Sequence, residues 1–95
     1  MIAGCGIIIF RIHESHSLKD KRRVVKSIID RIRNRFNVSM AEVGANDMYQ
    51  RVEIGFALVG NDPAVINSKI DKLFNSAEAL GLAEIIHTEM EIIHL

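Results

Sequence analysis

The sequence predicts an α+β fold, because strand-like and helix-like hydrophobic periods alternate in the order βαββαβ and both helical stretches open on capping residues. From Ile2 to Ile12 the chain is rich in β-branched residues, and Ile8, Phe10 and Ile12 alternate with Ile7, Ile9 and Arg11. That period of two predicts a first strand with one buried face. Ser17 follows as a helix N-cap whose hydroxyl can accept a free backbone N–H. Asp20, three residues on, is a weaker relative of the capping-box glutamate and puts acid where the helix dipole favours it. In the helix that starts there, Leu18, Val25, Ile28, Ile29, Ile32 and Phe36 fall within a narrow arc at about 100° per residue, which predicts their burial.

After Asn37 the pattern shortens to a strand over Val38–Val43, and Gly44-Ala45-Asn46-Asp47 tolerates the geometry of a hairpin loop. Val52, Ile54, Phe56 and Leu58 then alternate with Arg51, Glu53, Gly55 and Ala57, the clearest period of two in the chain, predicting a half-buried third strand. Asp62-Pro63 reads as an N-cap followed by proline at the first helical position, where its missing N–H is not needed. Ile66, Ile70, Leu73, Phe74, Ala77 and Leu80 line the inner face of this second helix, and Gly81 is a C-terminal stop. A last strand is predicted over about residues 84–93.

Two βαβ units in this order make the ferredoxin-like arrangement, a four-stranded antiparallel sheet with both helices on one face. A chain of 95 residues without repeats, low-complexity tracts or a linker is expected to be one domain over residues 1–95. The second sheet face is left without helices. Ile7, Ile9, Val59 and Ile93 are predicted to point there, as a patch suited to burial in a homodimer.

The formal charge of zero conceals a strong asymmetry. Between Lys19 and Arg35 lie eight of the twelve cationic residues and only two acids, Asp20 and Asp30, so the segment carries +6 and the rest of the chain −6. On a helical wheel Lys19, Arg22, Lys26 and Arg33 share about 60° of arc and span about 21 Å along the axis, a row able to follow several phosphates of a nucleic acid. The alternative for the same row is a solvated helix face. Matching acids at i±4 are not expected, and uncompensated like charges at that spacing lower stability.

Several functions are argued against by the residues themselves. The longest uninterrupted apolar runs, such as Ile7–Phe10, are too short to cross a bilayer, and no basic segment precedes a signal-type apolar stretch; a cytoplasmic, non-membrane protein is the expectation. Cys5 is the sole cysteine and reads as a small strand residue. His13 and His16 lack an HExxH helix or an evident third ligand, so no metal is predicted. His87, Glu89 and Glu91 read as strand-surface charge, and Gly4-Cys5-Gly6 lies within a strand and is not a phosphate loop. With no P-loop, dinucleotide fingerprint or nucleophile motif, neither catalysis nor a cofactor is predicted. Base stacking is not predicted either, since Phe10 and Phe56 are assigned to the core and Tyr49 stands alone.

The segments Ser17-Leu18-Lys19-Asp20-Lys21-Arg22-Arg23, Arg33-Asn34-Arg35-Phe36-Asn37-Val38-Ser39 and Ala41-Glu42-Val43 together resemble the YlxP-like family of small bacterial proteins, a domain of unknown function, and the resemblance covers essentially the whole chain. It implies a ferredoxin-like fold and a bacterial cytoplasmic protein. Genes of such proteins often lie near those of translation-initiation and ribosome-maturation factors, which implies association with RNA or the ribosome by analogy. The family brings no catalytic residues. His16 departs from the less histidine-rich loop of related sequences and leaves the motif intact. The resulting expectation is a non-enzymatic protein that contacts RNA or a ribonucleoprotein through Lys19, Arg22, Lys26 and Arg33. The alternative is a homo-oligomeric interaction module using the open sheet face.

Overall fold

A computed structural model describes residues 1–95, in the order β1 (Ile2–Arg11), α1 (Leu18–Arg35), β2 (Ser39–Gly44), β3 (Arg51–Gly60), α2 (Pro63–Ala79) and β4 (Glu84–His94). All six elements match the sequence periods, with ends displaced by one or two residues. Local chemistry accounts for the helix starts. Ser17 is extended and its hydroxyl accepts from the Asp20 N–H, while the Asp62 carboxylate accepts from the Ala64 N–H ahead of a helix opening on Pro63. At the far end of α2, Gly81 takes a φ of +65°, a left-handed conformation that stops the helix and suits glycine.

The strands form one antiparallel sheet in the order β2-β3-β1-β4, so each helix carries the chain past one intervening strand. Both helices pack on one face, and a single core of seventeen hydrophobic residues is formed between them and the sheet. The period-two reading identifies the inward set on the central strands: Ile8, Phe10, Val52, Ile54, Phe56 and Leu58 are buried. Helix α1 contributes Val25, Ile28 and Ile32, each worth about 2 kcal/mol of apolar burial, whereas Leu18, Ile29 and Phe36 are only half-buried at the margin. From α2, Ile66, Ile70, Leu73 and Ala77 are buried, and Phe74 meets Phe56 edge-to-face with ring centroids 5.6 Å apart.

A close approach of helix to sheet explains one glycine of β1. A Cβ at Gly4 would lie 2.6 Å from Ile66 Cγ2 and 2.8 Å from Ile70 Cδ1, so α2 sits where only glycine leaves room. Strand β4 is less covered than its hydrophobic content predicts; Thr88 and Met90, on the helix side by register, remain exposed. A bulge in β4 opposite Ile9 and Phe10 leaves Ile86 without a partner on β1. No helix is long and apolar enough to cross a membrane.

Candidate functional site

Helix α1 divides into a buried start and an exposed remainder. At the start, Lys21 is only 2% exposed. Its Nζ donates to the Ala45 carbonyl in the β2–β3 loop and lies 2.9 Å from Glu42 Oε2 on β2. The approach to Glu42 makes no directed hydrogen bond, so this buried oxygen is held by charge alone. Ala45 adopts φ +55°, the left-handed region that costs an alanine about 1 kcal/mol. Next to Lys21, the Asp20 carboxylate accepts from the His16 N–H at 3.4 Å, completing the capping contacts that Ser17 begins. Segments Ser17–Arg23 and Ala41–Val43, which carry the family resemblance, are thus joined by a buried ion pair. The sequence count of eight cations over Lys19–Arg35 includes Lys21 without setting it apart; the fold places it inside, because β2 presents Glu42 beneath the first turn of α1.

Beyond Lys21 the helix is cationic and open. Lys19, Arg22, Lys26 and Arg33 are all exposed, as are Arg23, Arg31 and Arg35. The expectation that no acid sits at i±4 is corrected at one position: Lys26 Nζ donates to Asp30 Oδ2 at 2.9 Å, the one matched pair on this face. The other six exposed cations have no carboxylate within 4 Å, and Arg35 rests over the Phe36 ring at 5.9 Å. Lys19/Arg23, Arg22/Lys26 and Arg31/Arg35 are like-charged neighbours at i,i+4, an arrangement that opposes helix stability.

Some of the acids lie across the sheet from α1. By register Glu53 and His87 flank Ile9, Glu89 flanks Ile7, and Glu91 flanks Cys5, so all share the helix-free sheet face. Positive charge is therefore concentrated on α1 itself, while the helix-free face carries these acids together with Arg11 and Arg51, which oppose each other on β1 and β3. His87 Nε2 lies 2.9 Å from Glu89 Oε1, both exposed, in keeping with strand-surface charge. His13 faces Glu84 at 3.5 Å and is not brought into a cluster with His16.

Ile7, Ile9, Val59 and Ile93 all lie on the helix-free face, but as two groups rather than one patch. Val59 and Ile93 both oppose Ala3 and form a row at one end of the sheet. Ile7 and Ile9 lie in the middle, separated from that row by Ala57, Cys5 and Glu91. Val59 is 64% exposed, whereas Ile7 and Ile9 are half-buried by their neighbours. Sequence reasoning missed Val43, whose side chain lies over Gly55 beside Ile7. A bulge after Glu42 breaks the alternation of β2, so counting by twos does not place Val43 reliably.

Comparison with known proteins agrees with this fold and its motifs. Over 71 residues the chain is 37% identical to "Uncharacterized protein YlxP" of Bacillus subtilis (strain 168), covering 75% of this chain and 74% of that one. Among solved structures, the de novo designed protein LFR1 1 with ferredoxin fold is similar with a TM-score of 0.54 at 12% identity, covering 100% of this chain and 87% of the other. A dimeric ferredoxin-like protein from an uncultured marine organism has a TM-score of 0.51 at 13% identity, covering 100% and 98%. These likenesses show a shared fold. Residues 3–90 match the family described as "Protein of unknown function (DUF503)", and the chain belongs to that family of YlxP-like proteins.

Proposed function

We propose that this is a non-enzymatic binding protein of the bacterial cytoplasm whose α1 surface contacts the phosphates of RNA, alone or within the ribosome. The observation that carries this reading is the set of six exposed α1 cations without a carboxylate partner. The i,i+4 repulsion within this set weakens the helix, offset only in the last turn where the dipole favours Arg33 and Arg35, whereas an anionic polymer neutralises the whole set and releases counterions. Lys19, Arg22 and Arg33 are the main contacts. Lys26 contributes less, because Asp30 already balances its charge. Arg33 also lines a shallow cleft of 330 Å³ with Asn34, Arg35 and Asn37, which adds polar donors at the C-terminal end of α1. The gene neighbourhood of YlxP-like proteins supports RNA or the ribosome by analogy.

The test is binding of a mixed-sequence single-stranded RNA across a salt series, read by fluorescence anisotropy. Neutralising three to four phosphates of a single strand gives a log–log slope of about −2 to −3, and Lys26→Gln with Arg33→Gln flattens it by about a third to a half. Binding indifferent to both salt and these substitutions overturns the reading.

A second reading, a homodimer through the helix-free face, is favoured by the exposed Val59–Ala3–Ile93 row and by the dimeric state of the marine protein of similar fold. Sedimentation at several concentrations, with Val59→Asp in the exposed row and Ile9→Asp in the middle of the face as variants, separates the two. A strict monomer unaffected by either substitution removes the second reading.

A further inference from the structure

At the end of the sheet remote from Val59 and Ile93, Phe10, Arg11, Met48, Tyr49, Gln50, Arg51 and Ile86 line an open cleft of 520 Å³. It is separate from the cationic row of α1. Two of the lining residues are arginines and none is acidic.

Arg11 and Arg51 stand directly opposite each other on β1 and β3, where facing side chains start about 5 Å apart and like charges repel. Their acidic neighbours do little to offset this. Glu84, across from Arg11 on β4, is turned toward His13 at 3.5 Å, and Arg11 has no carboxylate within 4 Å. Glu53 Oε2 lies 3.5 Å from Arg51 Nε and makes no hydrogen bond to it. Both guanidinium forks therefore keep donors for an oxyanion.

The walls are apolar. Met48 and Tyr49 are each 51% exposed and Ile86 46%, three large side chains held at the surface around one cleft. Tyr49, solitary in the sequence, is grouped with the other two by the fold. Ile86 is the extra residue of the β4 bulge, and bulges commonly redirect a side chain toward a site.

The loop carrying Met48 and Tyr49 is fixed from behind. The Ala45 carbonyl accepts from both Lys21 Nζ and the Met48 N–H, and Gln50 Nε2 donates to the carbonyls of His13 and Ser15. A buried ion pair and a left-handed alanine are both unfavourable in isolation, and here both hold the same loop. Fixed walls of this kind lower the entropy lost when a ligand is bound.

We propose that this cleft binds a small organic oxyanion, a phosphate or carboxylate on a flat apolar group, with Arg11 and Arg51 taking the oxyanion and Tyr49, Met48 and Ile86 the apolar part. The proposal is independent of RNA binding on α1.

The test titrates the intact chain with phenyl phosphate, benzoate and inorganic phosphate, following backbone amides by ¹H–¹⁵N NMR. Phenyl phosphate, benzoate or both shift the amides of Arg11, Met48–Arg51 and Ile86 saturably, with a Kd of about 1–10 mM for ligands of this size. The tighter of the two identifies the headgroup. Arg11→Gln with Arg51→Gln weakens binding about tenfold or more. Tyr49→Ala, on an exposed loop where folding is not at stake, weakens the aryl ligands and leaves inorganic phosphate unchanged. Three results overturn the proposal: shifts that grow without saturating, shifts confined to α1 that survive the arginine substitutions, or inorganic phosphate binding as tightly as the aryl ligands.

Discussion

Lys21 and Lys26 occupy the same helix, five positions apart, and each is 2.9 Å from a carboxylate, yet they belong to different parts of the molecule. The Lys21 side chain is 2% exposed and its partner Glu42 is on another element; the Lys26 side chain is 77% exposed and its partner is one turn along the same helix. Lys21 joins α1 to β2 and the β2–β3 loop, and removing it leaves a poorly solvated carboxylate. Lys26 sits in high dielectric, where the pair adds little to stability. Chemically identical residues in one charge cluster thus divide into a structural clasp and a solvent-exposed charge.

The largest effect that tests this contrast is expected for Lys21→Met, which should lower stability by about 3 kcal/mol, because Glu42 loses its counter-charge where solvent reaches it poorly. In urea denaturation Lys21→Met combined with Glu42→Leu should recover most of that loss. A single-variant loss below about 1 kcal/mol would erase the distinction between the two lysines. Next in size is Ala45→Gly. Relief of a left-handed alanine, less the added freedom of glycine in the unfolded chain, should raise stability by about 0.5–1 kcal/mol. No gain would mean that Ala45 carries no strain for Lys21 to restrain. The smallest effect is that of Lys26→Ala, under about 0.5 kcal/mol in the same assay. In RNA titrations it should also reduce the salt slope less than Arg33→Gln does, since Asp30 already offsets Lys26.

The fold was legible because it rests on short-range rules. Period-two runs such as Val52–Leu58, the stripe Val25/Ile28/Ile32 and the caps Ser17 and Asp62 each act within a few residues, and each acts as read. The sites were legible only in part. Exposure of Lys19, Arg22 and Arg33 follows from the helical wheel, but the burial of Lys21 does not, because its partner is twenty-one residues away on β2. The four isoleucine and valine positions on the helix-free face follow from alternation. Their division into two groups does not, since it depends on which strands are neighbours.

The cleft at Arg11 and Arg51 shows the same limit. Arg11, Tyr49, Arg51 and Ile86 come from three segments of chain, and nothing in their spacing anticipates their meeting. What the sequence determined by itself was the number, order and inward faces of the elements, along with the concentration of positive charge on the first helix. Which cations are buried, which carboxylates they meet and which side chains surround a cleft were decided only by the tertiary structure, because those contacts depend on strand register and on bulges that shift it.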